Sequence, residues 1–276
     1  MKKKIFTVPL LLCYLMLPLC GVSDTIKEPN KDFGVFIGAG PEKIGEMKDY
    51  STVVIDANFY TEKEIDKLQS GGTKVYSYLN LGSIEDFRPY YEEFEPYTLD
   101  PYENWPEEHW IDVSAPEWQD YLVFTLAENL LEKGIDGFFI DNVDVYYKYR
   151  TDEIFNGVAN ILKCIKSNYN NVPIIINGGY EFVNTAIERD VPLLDMFNGI
   201  NHESVYSRIN FEDDTLETNT LESRNFYLDY FKKVHPYGID IYIIEYTHSK
   251  DLMSQYIPYY DSHGYHYYTA DSIQLH

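Results

Sequence analysis

The chain has 276 residues, with 45 Asp+Glu against 22 Lys+Arg and a formal charge of −23. One core fits this length, since α/β barrels commonly run roughly 200–250 residues as a single domain, and 45% hydrophobic with 24% charged residues is ordinary globular composition rather than disorder. The charge argues against a nucleic-acid binder, which needs a basic face to displace phosphate counterions, and disfavours anionic membranes and uronate polymers; a neutral or cationic partner is left. The 27 Tyr exceed the 15 Phe and 3 Trp. A tyrosine joins an apolar ring to a polar handle, which serves sugar recognition and ordinary interfaces alike.

Residues 1–20 read MKKKIFTVPLLLCYLMLPLC. Three lysines before the apolar run Ile5–Cys20 are expected to be a secretory signal, the run being short for a membrane-spanning helix. Its removal leaves 19 basic against 45 acidic residues, a charge of −26. Cys20-Gly21 closes the run as in bacterial lipoprotein signals, but Leu19 stands where those prefer a small residue, so simple secretion and a lipid anchor at Cys20 both stand. Residues 21–32 are polar, include Pro29, and are expected to be a tether. Cys13 falls in the signal, so Cys164 and Cys20 cannot build a disulfide framework or a cysteine metal site. Cys164, in an apolar helical pattern, reads as a small buried hydrophobe.

From 33 to 276 short β-rich runs alternate with helical patterns. The expected strands are Phe33–Gly38, Thr52–Phe59, Lys74–Leu81, Gly137–Val143, Val172–Gly178, Asp195–Asn201, Asp240–Thr247 and Tyr265–Asp271. Several are nearly continuous apolar runs, as parallel strands covered on both faces require. The expected helices are Pro41–Tyr50, Thr61–Ser70, Pro116–Lys133, Thr151–Tyr169, Tyr180–Arg189, Leu221–Val234 and Lys250–His263. Thr61 to Glu64 and Ser114 to Glu117 look like capping boxes, and Gly71–Gly72 and Gly134 like helix stops. Eight strands with crossover helices predict a single (β/α)8 TIM barrel over 33–276, without its final helix. A doubly wound sheet usually has fewer strands and an early glycine fingerprint. Long insertions follow strand three (Gly82–Val113) and strand six (Glu203–Thr220), on the face where barrel active sites lie.

The strand ends carry the chemistry. They read Asp56-Ala57-Asn58; Tyr78-Leu79-Asn80, then Glu85 and Arg88; Asp141-Asn142-Val143-Asp144; Asn177; Asn201-His202-Glu203; Glu245-Tyr246; and Asp271. Desolvating so many carboxylates is costly, so a ring of them points to function. Two carboxyls suit glycoside hydrolysis, one protonating the leaving oxygen and one attacking or activating water. Asp141 and Asp144 could instead hold a hard cation for an isomerase, although no known metal motif supports it. No GxSxG elbow is present for acyl transfer.

The blocks YSYLNLGSIEDFR (Tyr76–Arg88), WPEEHWIDVSAPEW (Trp105–Trp118), GIDGFFIDNVDVY (Gly134–Tyr146) and INHES (Ile200–Ser204), with the Tyr-rich last strand, resemble the endo-α-1,4-polygalactosaminidase-like glycoside hydrolases of family 114. The resemblance implies a TIM barrel that cleaves a galactosamine-containing α-1,4 polymer outside the cytoplasm, with no cofactor. It carries the family's strand-four Asp onto Asp141 and its strand-six Glu onto Glu203. In this reading Asp141 attacks and Glu203, its pKa raised, is the acid and then the base, with retention favoured. Asn142 and Asp144 orient Asp141 and hold sugar hydroxyls, and Tyr78, Asn80, Asn177 and Tyr246 bind sugar. Glu245 and Asp56 stand in reserve. Arg88 is expected to pair with Glu85 or Asp112, Trp105 and Trp110 to stack on sugar or pin the loop, and Trp118 to pack it. A cationic amino sugar fits the acidic ring better than a uronate. The alternative from another class is a carbohydrate-binding barrel without turnover.

Overall fold

A computed structural model describes residues 29–276 apart from 104 and 214. The expected signal, Cys20 and most of the expected tether lie outside the described residues. Eight parallel strands form one sheet in chain order: β1 Phe33–Phe36, β2 Thr52–Ile55, β3 Lys74–Asn80, β4 Gly137–Asp141, β5 Ile174–Asn177, β6 Gly199–Glu203, β7 Asp240–Tyr246 and β8 His266–Ala270. The two ends meet through Gly38 N–H, which donates to the Leu275 carbonyl at 3.1 Å, and through Phe36 of β1, whose ring lies 5.5 Å from that of Tyr268 of β8. The result is the expected, nearly closed (β/α)8 barrel.

Strand alternation divides the core in two. Val35, Val54, Tyr76, Tyr78, Phe139, Ile175, Ile244 and Tyr246 fill the barrel interior. Val53, Ile55, Phe138, Ile140, Ile174, Ile176, Ile241 and Ile243 belong to the outer core under the helices. A buried strand therefore needs apolar residues at both parities.

The helices at Glu62–Gln69, Asp152–Asn168, Tyr180–Glu188, Leu221–Val234 and Lys250–His263 lie within a residue of their expected bounds. Thr61 N–H donates to Glu64 Oε2 at 2.8 Å, closing the first capping box. The second box does not form. Ala115 is the N-cap of the Pro116 helix, and Ser114 Oγ turns back to Asp112 Oδ1 at 2.6 Å. Pro41–Tyr50 gives only a 3-10 turn and one helical turn. Strand six starts later than expected because Leu193–Asp195 form a 3-10 turn after Pro192; the shift carries His202 and Glu203 into the strand. Residues 271–276 are not helical.

Both insertions acquire structure. Ser83–Glu85, Glu108–Ile111 and Thr98–Pro101 make a three-stranded antiparallel sheet, and Ser207–Asn210 pairs with Thr215–Thr218 as a hairpin. Trp118 packs the first insertion as expected, its indole N–H donating to the Leu81 carbonyl at 3.0 Å. Among the described residues no helix is long and apolar enough to cross a membrane.

Candidate active site

The inward parity that places Phe139, Ile175 and Ile244 inside the barrel also turns Asp141, Asn177 and Tyr246 toward its mouth. They line a cleft of about 580 Å³ together with Glu203, Asp144, Asn142, Asp56, Tyr78, Glu85 and Arg88. Ten of the fourteen residues expected at the site line this cleft, Asp141 and Glu203 among them.

Asn177 joins the two central carboxylates. Its Nδ2 donates to Asp141 Oδ1 at 3.0 Å and to Glu203 Oε1 at 2.8 Å. The two N–H bonds of an amide diverge by about 120°, which sets these acceptor oxygens about 5 Å apart. Asn201 Nδ2 donates to Asn177 Oδ1 at 2.7 Å and so fixes which end of the amide faces the carboxylates. The Tyr246 hydroxyl donates to Glu203 Oε2 at 2.5 Å. Burial and the Glu203 charge push the Tyr246 phenol well up, so it remains a donor.

Asp141 is pushed up to about 8, first by burial and then by the like charges of Glu203 and Glu108. Hydrogen bonds from the Asn142 and Asn177 N–H groups work against that rise. A raised carboxyl thus stands on β4, at Asp141. Asp144 rises to about 6 through burial, opposed by the Gly179 N–H. Its Oδ2 would lie 1.9 Å from a Cβ at residue 178, where φ is +69°, so a side chain there would be strained and would displace the Asp144 carboxyl. On the β2–β3 side Arg88 donates to Asp56 Oδ2 at 2.9 Å and to Glu85 at 2.8 and 3.1 Å. This confirms the expected Arg88–Glu85 pair, while Asp112 bonds Ser114 instead.

The sequence model of glycoside hydrolase family GH114 matches residues 23–272. The chain belongs to this family. The GH114 chain also resembles the glycoside hydrolase domain of PelA from Pseudomonas aeruginosa, with a TM-score of 0.76, 16% identity, and coverage of 88% of this chain and 95% of that one. Ega3 of Aspergillus fumigatus, solved as a galactosamine complex, gives a TM-score of 0.67 at 16% identity, covering 91% of this chain and 95% of that one. Identities this low speak for the fold. An uncharacterized protein of Methanocaldococcus jannaschii is 24% identical over 213 residues, 72% of this chain and 59% of its own length. One from Thermotoga maritima is 27% identical over 104 residues, 36% of this chain and 32% of its own. The GH114 chain thus covers about three-fifths and one-third of these two relatives.

Four expected site residues take other roles. Asn80 is 5% exposed, with Nδ2 donating to Glu108 Oε1 at 2.8 Å and Oδ1 accepting from Ser83, so its amide is spent inside the insertion. Trp110 is 4% exposed, stacks on Tyr102 at 4.5 Å and stands behind it, leaving Trp105 as the tryptophan on the cleft. Glu245 has the outward parity and is fully buried, accepting from Tyr206 N–H, Ser207 N–H and Oγ, and Tyr260 Oη at 2.5–2.8 Å. It anchors the β6 hairpin and cannot serve as the reserve acid. Asp271 follows β8 at the outward parity, is exposed and does not line the cleft. His202, which lines the cleft, packs on Tyr227 at 3.7 Å, and burial pushes it down to about 3, so it is neutral.

The structure adds residues that the strand-end reading passed over. Glu108, Glu107 and Tyr102 reach the cleft from the first insertion, and Phe211 from the second. Phe59 and Phe87 line it at 64% and 57% exposure. Glu107 and Glu108 were within a quoted motif, but nothing in their spacing distinguished them from ordinary loop carboxylates.

Proposed function

We propose that this GH114 hydrolase cleaves internal α-1,4 bonds of a galactosamine-containing polysaccharide with retention of configuration. The observation that carries the reading is that one amide nitrogen, Asn177 Nδ2, donates to both Asp141 and Glu203, an ideal fork of which spans about 5 Å between the acceptor oxygens. Retaining pairs stand about 5–5.5 Å apart; inverting pairs need about 6.5–9.5 Å to admit water. Asp141 attacks the anomeric carbon while Glu203 protonates the leaving oxygen. The glycosyl ester on Asp141 is then hydrolysed by a water that Glu203 deprotonates. Tyr246 and Asn177 keep Glu203 turned toward the bond.

Asp141 must be ionised to attack, yet in the free protein its pKa is raised to about 8. A substrate ammonium beside it favours the carboxylate, so a cationic sugar activates the nucleophile that it meets. The cleft supports such a substrate. Seven carboxylates line it (Asp56, Glu85, Glu107, Glu108, Asp141, Asp144 and Glu203), and its guanidinium, Arg88, is already engaged by two of them. Exposed rings stand on opposite rims, Phe59 and Phe87 beyond β2 and β3 and Phe211 beyond β6, at 46% exposure for the last. That spread suits a chain crossing the mouth, hence internal cleavage. The basic and apolar Met1–Cys20 segment supports delivery out of the cytoplasm.

The test is reducing-end release from a polysaccharide panel that includes partly deacetylated α-1,4-galactosamine polymer, with NMR of the first-formed anomer. Wild type should cut the polymer and give the α-anomer, and Asp141→Asn and Glu203→Gln should lose activity while folded. A β-anomer would refute retention. Binding without cleavage would leave a sugar-binding barrel.

A further inference from the structure

Behind Asp141 lies a buried cluster to which the mechanism just described gives no bond-making or proton-transfer step. It joins Glu108 of the first insertion to Asn80, Ser83 and Asn142. Glu108 is 8% exposed, and its Oε1 accepts from Asn80 Nδ2 at 2.8 Å, from Asn142 Nδ2 at 2.8 Å and from Ser83 Oγ. Three donors converge on this one oxygen.

Asn142 is the link to the catalytic carboxylate. It has φ +59°, a left-handed conformation in which asparagine is enriched among non-glycine residues. In that conformation its backbone N–H donates to Asp141 Oδ1 at 2.8 Å. Its side-chain amide is tied to Glu108 and also donates to Ser83 Oγ at 2.6 Å and Asn80 Oδ1 at 3.2 Å. The backbone is gripped from the other side as well. A Cβ at residue 82 would lie 1.9 Å from the Asn142 carbonyl oxygen, so Gly82 lets the insertion's first strand close directly on it. The Leu81 N–H donates to the Asp141 carbonyl at 3.1 Å.

We propose that Glu108 is a positioning residue for Asp141: by holding the Asn142 side chain it keeps the left-handed turn whose N–H orients the Asp141 carboxylate. The insertion after β3 thus completes the site from behind as well as lining the cleft. Glu108 is also a buried charge of the same sign as Asp141. The groups facing Asp141 are Glu203 from β6, Glu108 from the insertion, and the Tyr78, Tyr102 and Tyr246 phenols; Glu85 faces Glu108. Removing the Glu108 charge therefore makes Asp141 easier to ionise.

Two variants separate position from charge. Glu108→Gln keeps an oxygen for the three donors and removes the charge. Glu108→Ala removes both. The catalytic part of the test rests on the hydrolase reading, so a second readout does not: the pH titration of the Asp141 carboxyl carbon in 13C-aspartate-labelled full-length protein, assigned by its loss in Asp141→Asn. Glu108→Ala should lower kcat about 10²-fold, the cost of a misplaced reacting group, with KM little changed. Glu108→Gln should restore kcat to within about threefold at its own optimum, with the ascending limb of its pH profile moved to lower pH. The Asp141 carbon should titrate at lower pH in Glu108→Gln whether or not the polymer is the substrate. The proposal is overturned if Glu108→Ala keeps kcat within twofold, if Glu108→Gln is as damaged as Glu108→Ala while equally folded by melting temperature, or if the carboxyl titration does not move.

Discussion

Replacing Asp141 with asparagine should abolish hydrolysis and make the protein more stable. Both protein hydrogen bonds to the carboxyl, from Asn142 N–H at 2.8 Å and Asn177 Nδ2 at 3.0 Å, converge on Oδ1, which an asparagine carbonyl can replace in kind. The substitution then removes only a charge, one that burial and the carboxylates of Glu203 and Glu108 disfavour. The folded protein holds the Asp141 proton up to about pH 8, whereas a freely solvated aspartate releases it near 3.8. Between those values the folded state binds more protons than the unfolded one, so wild-type stability falls as pH rises through the window. At about 1.4 kcal/mol per unit, the loss at pH 7 has a ceiling of about 4 kcal/mol. Relaxation of the cleft and its water around the charge reduces this to about 2 kcal/mol. For a chain of this size that is a gain of about 4–8 °C in Tm. The assay is paired thermal unfolding of wild type and Asp141→Asn at about pH 3 and about pH 8. The gain should be absent at the lower pH and full at the higher. A variant no more stable than wild type at pH 8, or equally stabilised at both, would refute the argument.

Asn177→Ala removes the bridge between the carboxylates and should lower kcat about 10²-fold, the value of one to two charge-assisted hydrogen bonds. Because the Asn177 N–H helps hold Asp141 down, the ascending limb of the pH–kcat profile should move to higher pH; an unmoved limb would count against the bridge. Glu245→Ala leaves four buried donors without their acceptor and should cost about 3 kcal/mol or more, read by urea unfolding. If it instead behaves as a well-folded, inactive protein, Glu245 belongs to the catalytic machinery after all. Phe211→Ala should raise KM for long polymer while leaving KM for a disaccharide unchanged, since the ring stands on the rim; an equal rise for both would place it at the cleaved bond.

The linear pattern of this chain determined a great deal. Eight apolar β-rich runs, each needing cover on both faces, fix a parallel sheet wrapped by helices, and the period of two then says which strand residues face the barrel. Asp141, Asn177 and Tyr246 share the parity of the apolar interior residues before them. The same rule, applied to Ile241, Ile243 and Glu245, puts Glu245 under the helices, and applied to Tyr267, Thr269 and Asp271 it removes Asp271 from the mouth. Those two errors came from taking strand ends by position rather than by face. Strand six was less legible because its run was expected to begin at Asp195, which closes a turn after Pro192, whereas the strand begins at Gly199. Only the tertiary structure decided the rest. That Asn177 reaches Asp141 and Glu203 at once depends on the angles between three neighbouring strands. That Glu108, 33 residues before Asp141 in the chain, grips Asn142 depends on how a long insertion folds back over the barrel. Local periodicity records which way a side chain points from its own strand. It carries no record of the distance to a group that another segment brings, and both the spacing of the carboxylates and the ionisation of Asp141 depend on that distance.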